Sequence, residues 1–151
     1  MTTYVDSSAL VAVYVSERFS AAARRAVQAA SRVPFTHLHG LEVLNAFELL
    51  VGRDAMTRDE CRAVQDQLQD DLASHRLVRL ALDFDQVFTN ASALSRAYTA
   101  KTLTRSLDLL HVAASHLAMC TTFVSADDRQ LAVAKATGLR VIDIKNRTRG
   151  R

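Results

Sequence analysis

Proline and glycine are scarce in this chain, with 1 Pro and 4 Gly among 151 residues. That is too few for a disordered or low-complexity segment, or for a β-protein built on many tight turns. Cysteine is nearly absent: Cys61 and Cys120 stand far apart and in no Cys-x-x-Cys or Cys/His spacing, which argues against a thiolate metal site and fits a reduced, cytosolic chain. No apolar run approaches the roughly 18 residues that a membrane-spanning helix needs. The opening residues lack a basic stretch and carry Asp6 within their apolar start, so they do not read as a secretory leader and the chain is expected in the cytoplasm. A glycine-rich phosphate loop is missing as well, which removes nucleotide-fold kinases and dinucleotide enzymes.

What is present is an ordinary globular composition, 49% apolar and 23% charged, in a length that suits one domain with a real core. The net charge is +3 and the basic residues are nearly all Arg. The planar guanidinium fork suits phosphate oxygens, although genomic composition and solvated helix faces produce the same bias. Residues 145–151, from Lys145 to Arg151, form a basic tail without apolar residues. It is expected to fray beyond a domain spanning 1–144, where it can brush a nucleic-acid backbone or simply aid solubility.

Hydrophobic periodicity predicts strands alternating with helices. Residues 2–6 read as a short buried strand, with Ser7 or Ser8 capping a helix that begins near Ala9. Ser16 to Phe19 introduce a second helix to about residue 31. Val33 to Thr36 is strand-like, with Pro34 at a strand start or edge. A helix over 38–52 follows and stops at Gly52. Thr57 and Glu60 have the spacing of a capping box that opens a helix to about residue 74. Leu77 to Leu82 alternates like a strand, 85–100 is an amphipathic helix, and 106–119 is an almost continuously apolar, central helix. Thr121 to Ser125 is a strand, Asp128 to Thr137 a helix stopped by Gly138, and Arg140 to Ile144 a last strand. The expected fold class is α/β, with a mainly parallel sheet covered by helices on both faces, a three-layer α/β/α sandwich.

Four acids interrupt this pattern where a carboxylate is expensive. Asp6 ends the first strand, Glu42 lies in the helix of Leu41 to Ala46, Asp108 stands between Leu107 and Leu109-Leu110, and Asp127 follows the strand Thr122 to Ser125. Acids are almost never fully buried unless paired or bound to a metal. In parallel sheets ligands bind at the carboxyl ends of the strands, where Asp6 and Asp127 fall, and Glu42 and Asp108 come early in helices that can begin at that edge. The natural counter-charge is a hard divalent cation such as Mg²⁺ or Mn²⁺, held by carboxylate oxygens. One or two such ions can neutralise a phosphodiester and supply an activated water.

The same residues resemble the motifs of the PIN-domain family, and within it the ribonuclease toxins of VapBC-type toxin–antitoxin pairs. Tyr4-Val5-Asp6-Ser7-Ser8-Ala9-Leu10-Val11 is close to the first motif, Glu42-Val43-Leu44-Asn45-Ala46 to the helical glutamate, and Arg105 to Ala113 around Asp108 is the strongest match. Ser125-Ala126-Asp127-Asp128-Arg129-Gln130-Leu131, with Ala134 and Gly138-Leu139, resembles the last motif. The resemblance spans residues 3–143. It implies that Asp6, Glu42, Asp108 and Asp127 are the catalytic and metal-binding quartet of an endoribonuclease cleaving RNA by metal-activated water, with Asp127 rather than Asp128 pointing inward. It also implies a VapB-like antitoxin partner and a homodimer.

Each acid taken alone has a plainer reading. Asp6 and Asp127 can be helix caps, Glu42 a capping-box or solvated residue, and Asp108 a cap of a helix starting nearby. His111, three residues after Asp108, is read as a hydrogen-bonded core residue rather than a ligand, as are His37, His39 and His116, and Glu48 lies on another part of its helix. The alternative function is a non-catalytic PIN-like RNA-binding or scaffold protein. A phosphatase using Asp6 as nucleophile fits less well, because Ser8 stands where such enzymes carry a second Asp.

Overall fold

The computed structural model of the chain describes residues 2–146; most of the expected tail, residues 147–151, lies outside the described residues. β1 (Thr3–Val5) leads to α1 (Ser7–Tyr14) and α2 (Ser20–Ala29), and β2 (Pro34–Phe35) to α3 (His37–Gly52) and α4 (Arg58–Ala73). β3 (Val78–Arg79) is followed by α5 (Phe84–Leu94), a π turn at Ser95–Thr99 and a short α6 (Ala100–Thr102). α7 (Ser106–Leu117), β4 (Thr122–Ser125), α8 (Asp128–Ala136) and β5 (Arg140–Asp143) complete the order.

All strand pairings are parallel. β1 lies beside β4 with Tyr4 opposite Phe123, β4 beside β5, and β2 beside β3. A parallel bridge between Thr2 and Arg32, with the Thr3 amide donating to the Arg32 carbonyl at 2.8 Å, brings the β2–β3 pair alongside β1. The order across the molecule is therefore β3-β2-β1-β4-β5. Successive strand residues face opposite sides. Val5 and Val124 enter a core with Leu10, Ala23, Phe47 and Leu72 from α1 to α4, whereas Tyr4 and Phe123 enter another with Val87, Leu110 and Leu131 from α5, α7 and α8. Helices thus cover both faces, as the strand–helix alternation predicts, and the fold is a three-layer α/β/α sandwich.

Local chemistry departs from expectation at several ends. Neither Ser7 nor Ser8 caps α1. Asp6 does, with extended backbone (φ −65°, ψ 164°) and its Oδ1 accepting the Ala9 amide at 2.8 Å. The serines are already helical, so only the residue before them can reach back to an open amide. α2 starts where Ser16 to Phe19 introduce it and ends at Ala29, two residues before the expected end, because the backbone of Ala30 turns extended (φ −78°, ψ 141°). β2 and β3 shrink to two residues each. β3 has a single neighbour at the sheet edge, so the alternation of Leu77 to Leu82 meets no further partner. The expected helix over 85–100 breaks into α5, the π turn and α6.

The predicted capping box at α4 forms, the Glu60 amide donating to Thr57 Oγ1 at 3.1 Å and the Thr57 amide to Glu60 Oε2 at 2.8 Å. Gly138 ends α8 at φ +94°, a backbone that residues with a Cβ rarely adopt. Among the described residues no helix is long and apolar enough to cross a membrane, and Cys61 and Cys120 are buried and free.

Candidate functional site

Because β1 and β4 run in parallel, their carboxyl ends share one edge of the sheet. Asp6 comes directly after β1, its amide donating to the Val124 carbonyl at 3.0 Å. Its side chain is only 5% exposed. Burial drives the Asp6 carboxyl from its ordinary 3.8 up to about 6; the Ala9 amide, Ser125 and His111 pull it down, and the charge of Asp108 pushes it further up. Among the described residues no ion pair joins Asp6, Asp108 or Asp127 to a Lys or Arg.

Ser125, at the end of β4, makes the proton count around Asp6 explicit. Its Oγ lies 2.7 Å from Asp6 Oδ2 and 2.7 Å from Gln130 Oε1, and accepts the Asp127 amide at 2.9 Å. A hydroxyl has one proton to give. Gln130, fully buried, is oriented by its Nε2, which donates to the Asp108 carbonyl at 3.1 Å. The set is complete when Asp6 carries a proton, donates it to Ser125, and Ser125 donates to Gln130. Without a cation this arrangement holds below about pH 6; above it the Asp6 carboxylate and Gln130 Oε1 compete for the one Ser125 proton.

Asp127 follows β4 by two residues and caps α8, Oδ1 accepting the amides of Arg129 at 2.9 Å and Gln130 at 3.1 Å. Asp108 sits half-buried in the first turn of α7. Its carboxyl is raised by burial and then by the charge of Asp127, with Glu42 adding to this and His111 and Arg105 opposing it. Asp108 therefore feels Asp6, Asp127 and Glu42, and the fold brings the four predicted acids to one edge. The neighbouring Asp128 is exposed and paired with Lys145.

Glu42, in the second turn of α3, is half-buried. Burial alone pushes its carboxyl up, but a hydrogen bond and charge from His111 and a hydrogen bond from Ser7 bring it below the ordinary value. His111 Nε2 and Ser7 Oγ, the latter at 3.0 Å, both bond to Glu42 Oε1. His111 is a buried, hydrogen-bonded residue as the sequence suggests, yet its partner is one of the four acids. Tyr4, whose hydroxyl is 2.8 Å from His111 Nδ1, and Gln130 are further contributors that sequence reasoning passed over. His39 serves the frame: burial lowers it to about 3, its Nδ1 accepts the Thr36 amide at 3.0 Å, and its Nε2 donates to the Val5 carbonyl at 2.7 Å, next to Asp6.

Beside Ser7 and Glu42 opens a groove of about 640 Å³ walled by Val11, Leu41, Leu49 and Leu107. Three of these leucines are unusually open, Leu41 at 69%, Leu49 at 45% and Leu107 at 52%. A cavity of similar size, about 650 Å³, lies between Tyr14, Arg24, Asp71 and Arg76 and includes none of the four acids.

Residues 3–136 match the PIN domain family. The chain belongs to that family. None of the curated proteins matches it as a relative. Solved structures share the PIN fold at low sequence identity. FitAcB from Neisseria gonorrhoeae is 11% identical with a TM-score of 0.67, covering 96% of this chain and 99% of that one. VapBC2 from Rickettsia felis, bound to a DNA fragment from their promoter, is 11% identical with a TM-score of 0.65, covering 95% and 98%. PAE2754 from Pyrobaculum aerophilum is 18% identical with a TM-score of 0.56, covering 96% and 90%.

The donors in this PIN domain are hard carboxylate oxygens, the set that Mg²⁺ or Mn²⁺ prefers, and of the four only Glu42 is paired with a basic side chain, His111, among the described residues. Among the described residues no three His, Cys, Asp or Glu side chains already stand close enough to clasp one ion together. Mg²⁺ keeps several waters and takes one or two carboxylates directly, so it does not need three of these side chains at bonding distance. The residues fit the group.

Proposed function

We propose that the chain is the toxin of a VapBC-type toxin–antitoxin pair, a cytoplasmic endoribonuclease that depends on Mg²⁺ or Mn²⁺ held by Asp6, Glu42, Asp108 and Asp127. The observation that carries this reading is Asp6, a buried carboxylate raised to about 6, with no basic residue paired to it and Asp108 nearby. Such an arrangement destabilises the empty site and is relieved by a cation.

Asp6 and Asp108 are the central ligands in this reading, and Asp127 contributes its second oxygen directly or through water. A bound divalent ion supplies charge neutralisation at the phosphoryl oxygens and lowers the pKa of a water. Glu42 orients the attacking water, while Ser7 and Ser125 hold the carboxylates in place. Water adds to phosphorus as the bond to the 3′ oxygen breaks, and that oxygen leaves with a proton. The products then carry 5′-phosphate and 3′-hydroxyl ends.

The apolar groove beside Glu42 supports an antitoxin whose C-terminal segment lies over the acidic edge and inserts an Arg or Lys among the carboxylates. The Rickettsia felis structure, named as VapBC2 on promoter DNA, is consistent with a partner of this kind. A homodimer is part of the same reading.

The test incubates wild type and Asp108→Asn with total cellular RNA and Mg²⁺ and maps the cut ends. Asp108→Asn should lose at least about 100-fold in cleavage, while RNA binding through surface Arg survives, since that backbone term needs no carboxylate. Equal cleavage by both proteins removes Asp108 from the mechanism. Ends bearing a 2′,3′-cyclic phosphate mean that the RNA supplied its own nucleophile, and an absence of cleavage across a broad RNA set turns the reading to a non-catalytic RNA-binding or scaffold protein.

A further inference from the structure

Behind Glu42 lie two buried groups that the proposed chemistry does not use: Tyr4 and His111, at 0% and 2% exposure. Their hydrogen bonds have a readable direction. Ser7 Oγ donates to Glu42 Oε1 at 3.0 Å, and His111 Nε2 bonds to the same oxygen. An ionised carboxylate only accepts, so Nε2 carries the proton. In the neutral imidazole Nδ1, 2.8 Å from the Tyr4 hydroxyl, is then left to accept. The Tyr4 hydroxyl, with one proton to give, is the donor that faces it. Thr36 belongs to the neighbouring frame, its amide nitrogen and its Oγ1 each 3.0 Å from His39 Nδ1. The donors run from Tyr4 to His111 to Glu42, each fixing the direction of the next.

The frame around this chain is rigid. The Tyr4 ring stacks on Phe123 with centroids 5.5 Å apart and planes 6° apart, and meets His111 edge-on at 5.6 Å. Ser7 alone could not hold Glu42 in one orientation, because a hydroxyl rotates to suit its surroundings. An imidazole with one nitrogen fixed by Tyr4 cannot. Both described bonds to Glu42 land on Oε1, which leaves Oε2 available.

We propose that Tyr4 and His111 are positioning residues for the site: Tyr4 selects the Nε2–H tautomer of His111, and His111 pins Glu42 Oε1 so that Oε2 is presented to the cation or the water handled there. This rests on the reading of the four acids as a metal-dependent nuclease site. Groups that orient a metal ligand in this way typically matter about 10–100-fold in metal affinity or activity.

Three variants test it, with Asp108→Asn beside them. In the metal-free wild type, nitrogen NMR of the His111 ring should show the Nε2–H form, and Tyr4→Phe should lose that single form. Calorimetric Mn²⁺ affinity should fall about 10-fold in Tyr4→Phe and about 100-fold in His111→Ala. His111→Gln, whose amide can still donate to Glu42, should recover part of the loss. Cleavage should follow the same order through kcat, with KM for RNA unchanged, a split that a packing role does not produce. If His111→Ala fails to fold, Tyr4→Phe carries the test, because it removes one buried oxygen and keeps the ring stacked. An Nδ1–H form in the wild type overturns the proposal, as does wild-type Mn²⁺ affinity in Tyr4→Phe and His111→Gln while Asp108→Asn binds no ion. Mn²⁺ binding and cleavage retained in Asp108→Asn defeats the nuclease reading instead, and the proposal with it.

Discussion

Asp6→Asn should make the metal-free protein more stable at neutral pH while removing its capacity to hold a divalent ion. The folded environment moves the Asp6 carboxyl from 3.8 to about 6, chiefly by burial. An acid raised in this way binds its proton more tightly folded than unfolded. Its contribution is therefore fully present below the unfolded value near 4 and is lost as pH rises through about 6. At about 1.36 kcal/mol per pH unit, the gap amounts to about 3 kcal/mol at neutral pH and above. Asn imitates the protonated acid at every pH. Its Oδ1 can still accept the Ala9 amide, and Asn caps helices about as well as Asp. Its amide nitrogen can donate to Ser125, leaving the Ser125 proton for Gln130.

The assay is thermal unfolding with chelator present, run on both proteins from about pH 4 to about pH 8. Other carboxylates titrate in both, so the difference between the curves isolates Asp6. At about 2–4 °C per kcal/mol for a domain of this size, the Asn variant should gain about 6–12 °C on wild type by neutral pH. Most of that gain should develop between about pH 4 and about pH 6. Parallel curves, or a variant less stable than wild type at the alkaline end, would refute the burial penalty and the proton count around Ser125 together.

Three further outcomes are expected. Mg²⁺ or Mn²⁺ at about 100 times its Kd should raise Tm by about 5–10 °C, equivalent to about 2.7 kcal/mol, and release protons near pH 6; calorimetry in two buffers of different ionisation heat checks this, and unchanged heats and Tm sink the metal site. Asp128→Asn should leave cleavage within about twofold and stability within about 0.5 kcal/mol of wild type, because its exposed pair with Lys145 is screened by solvent; lost cleavage would move the site to Asp128. Leu49→Asp, on the outer wall of the groove, should weaken a cognate antitoxin at least about tenfold without changing cleavage by the free protein; unchanged affinity in a binding titration would place the antitoxin elsewhere.

The layers were legible because burial on both faces leaves a strong imprint. β1 and β4 are apolar runs, and α7 is apolar nearly all round because it packs at the centre of one core. The edges were less legible. A two-residue pairing such as Pro34–Phe35 with Val78–Arg79 imposes almost no pattern on its neighbours. The π turn after α5 also falls where apolar spacing remains helical. In the site, Asp6 and Asp127 announce themselves at strand-to-helix junctions, and Glu42 and Asp108 were read through early helix positions and family resemblance. His111 could not be assigned a partner from sequence. Tyr4 is 107 residues away and Glu42 69, and only the sheet and the helices on either side of it bring them together.

The plain and the functional readings of Asp6 and Asp127 turn out to be compatible, because a carboxylate has two oxygens. Each uses Oδ1 to cap the helix that follows it, α1 for Asp6 and α8 for Asp127. A cap at a helix N-terminus fixes the side chain and offsets part of its charge through the exposed amides and the helix dipole. The second oxygen is then held in a defined direction without a second backbone partner. For Asp6 that oxygen meets Ser125 and the field of Asp108, and its unrelieved burial persists as the raised proton affinity. Capping therefore supplies the preorganisation that a cation site needs. The joint rarity of four acids is the argument for a site, and two of the four, Asp6 and Asp127, are real caps. In the proposed site, what would make Asp6 a ligand rather than a mere cap is the burial and the neighbouring charge imposed on the oxygen that the helix leaves unused.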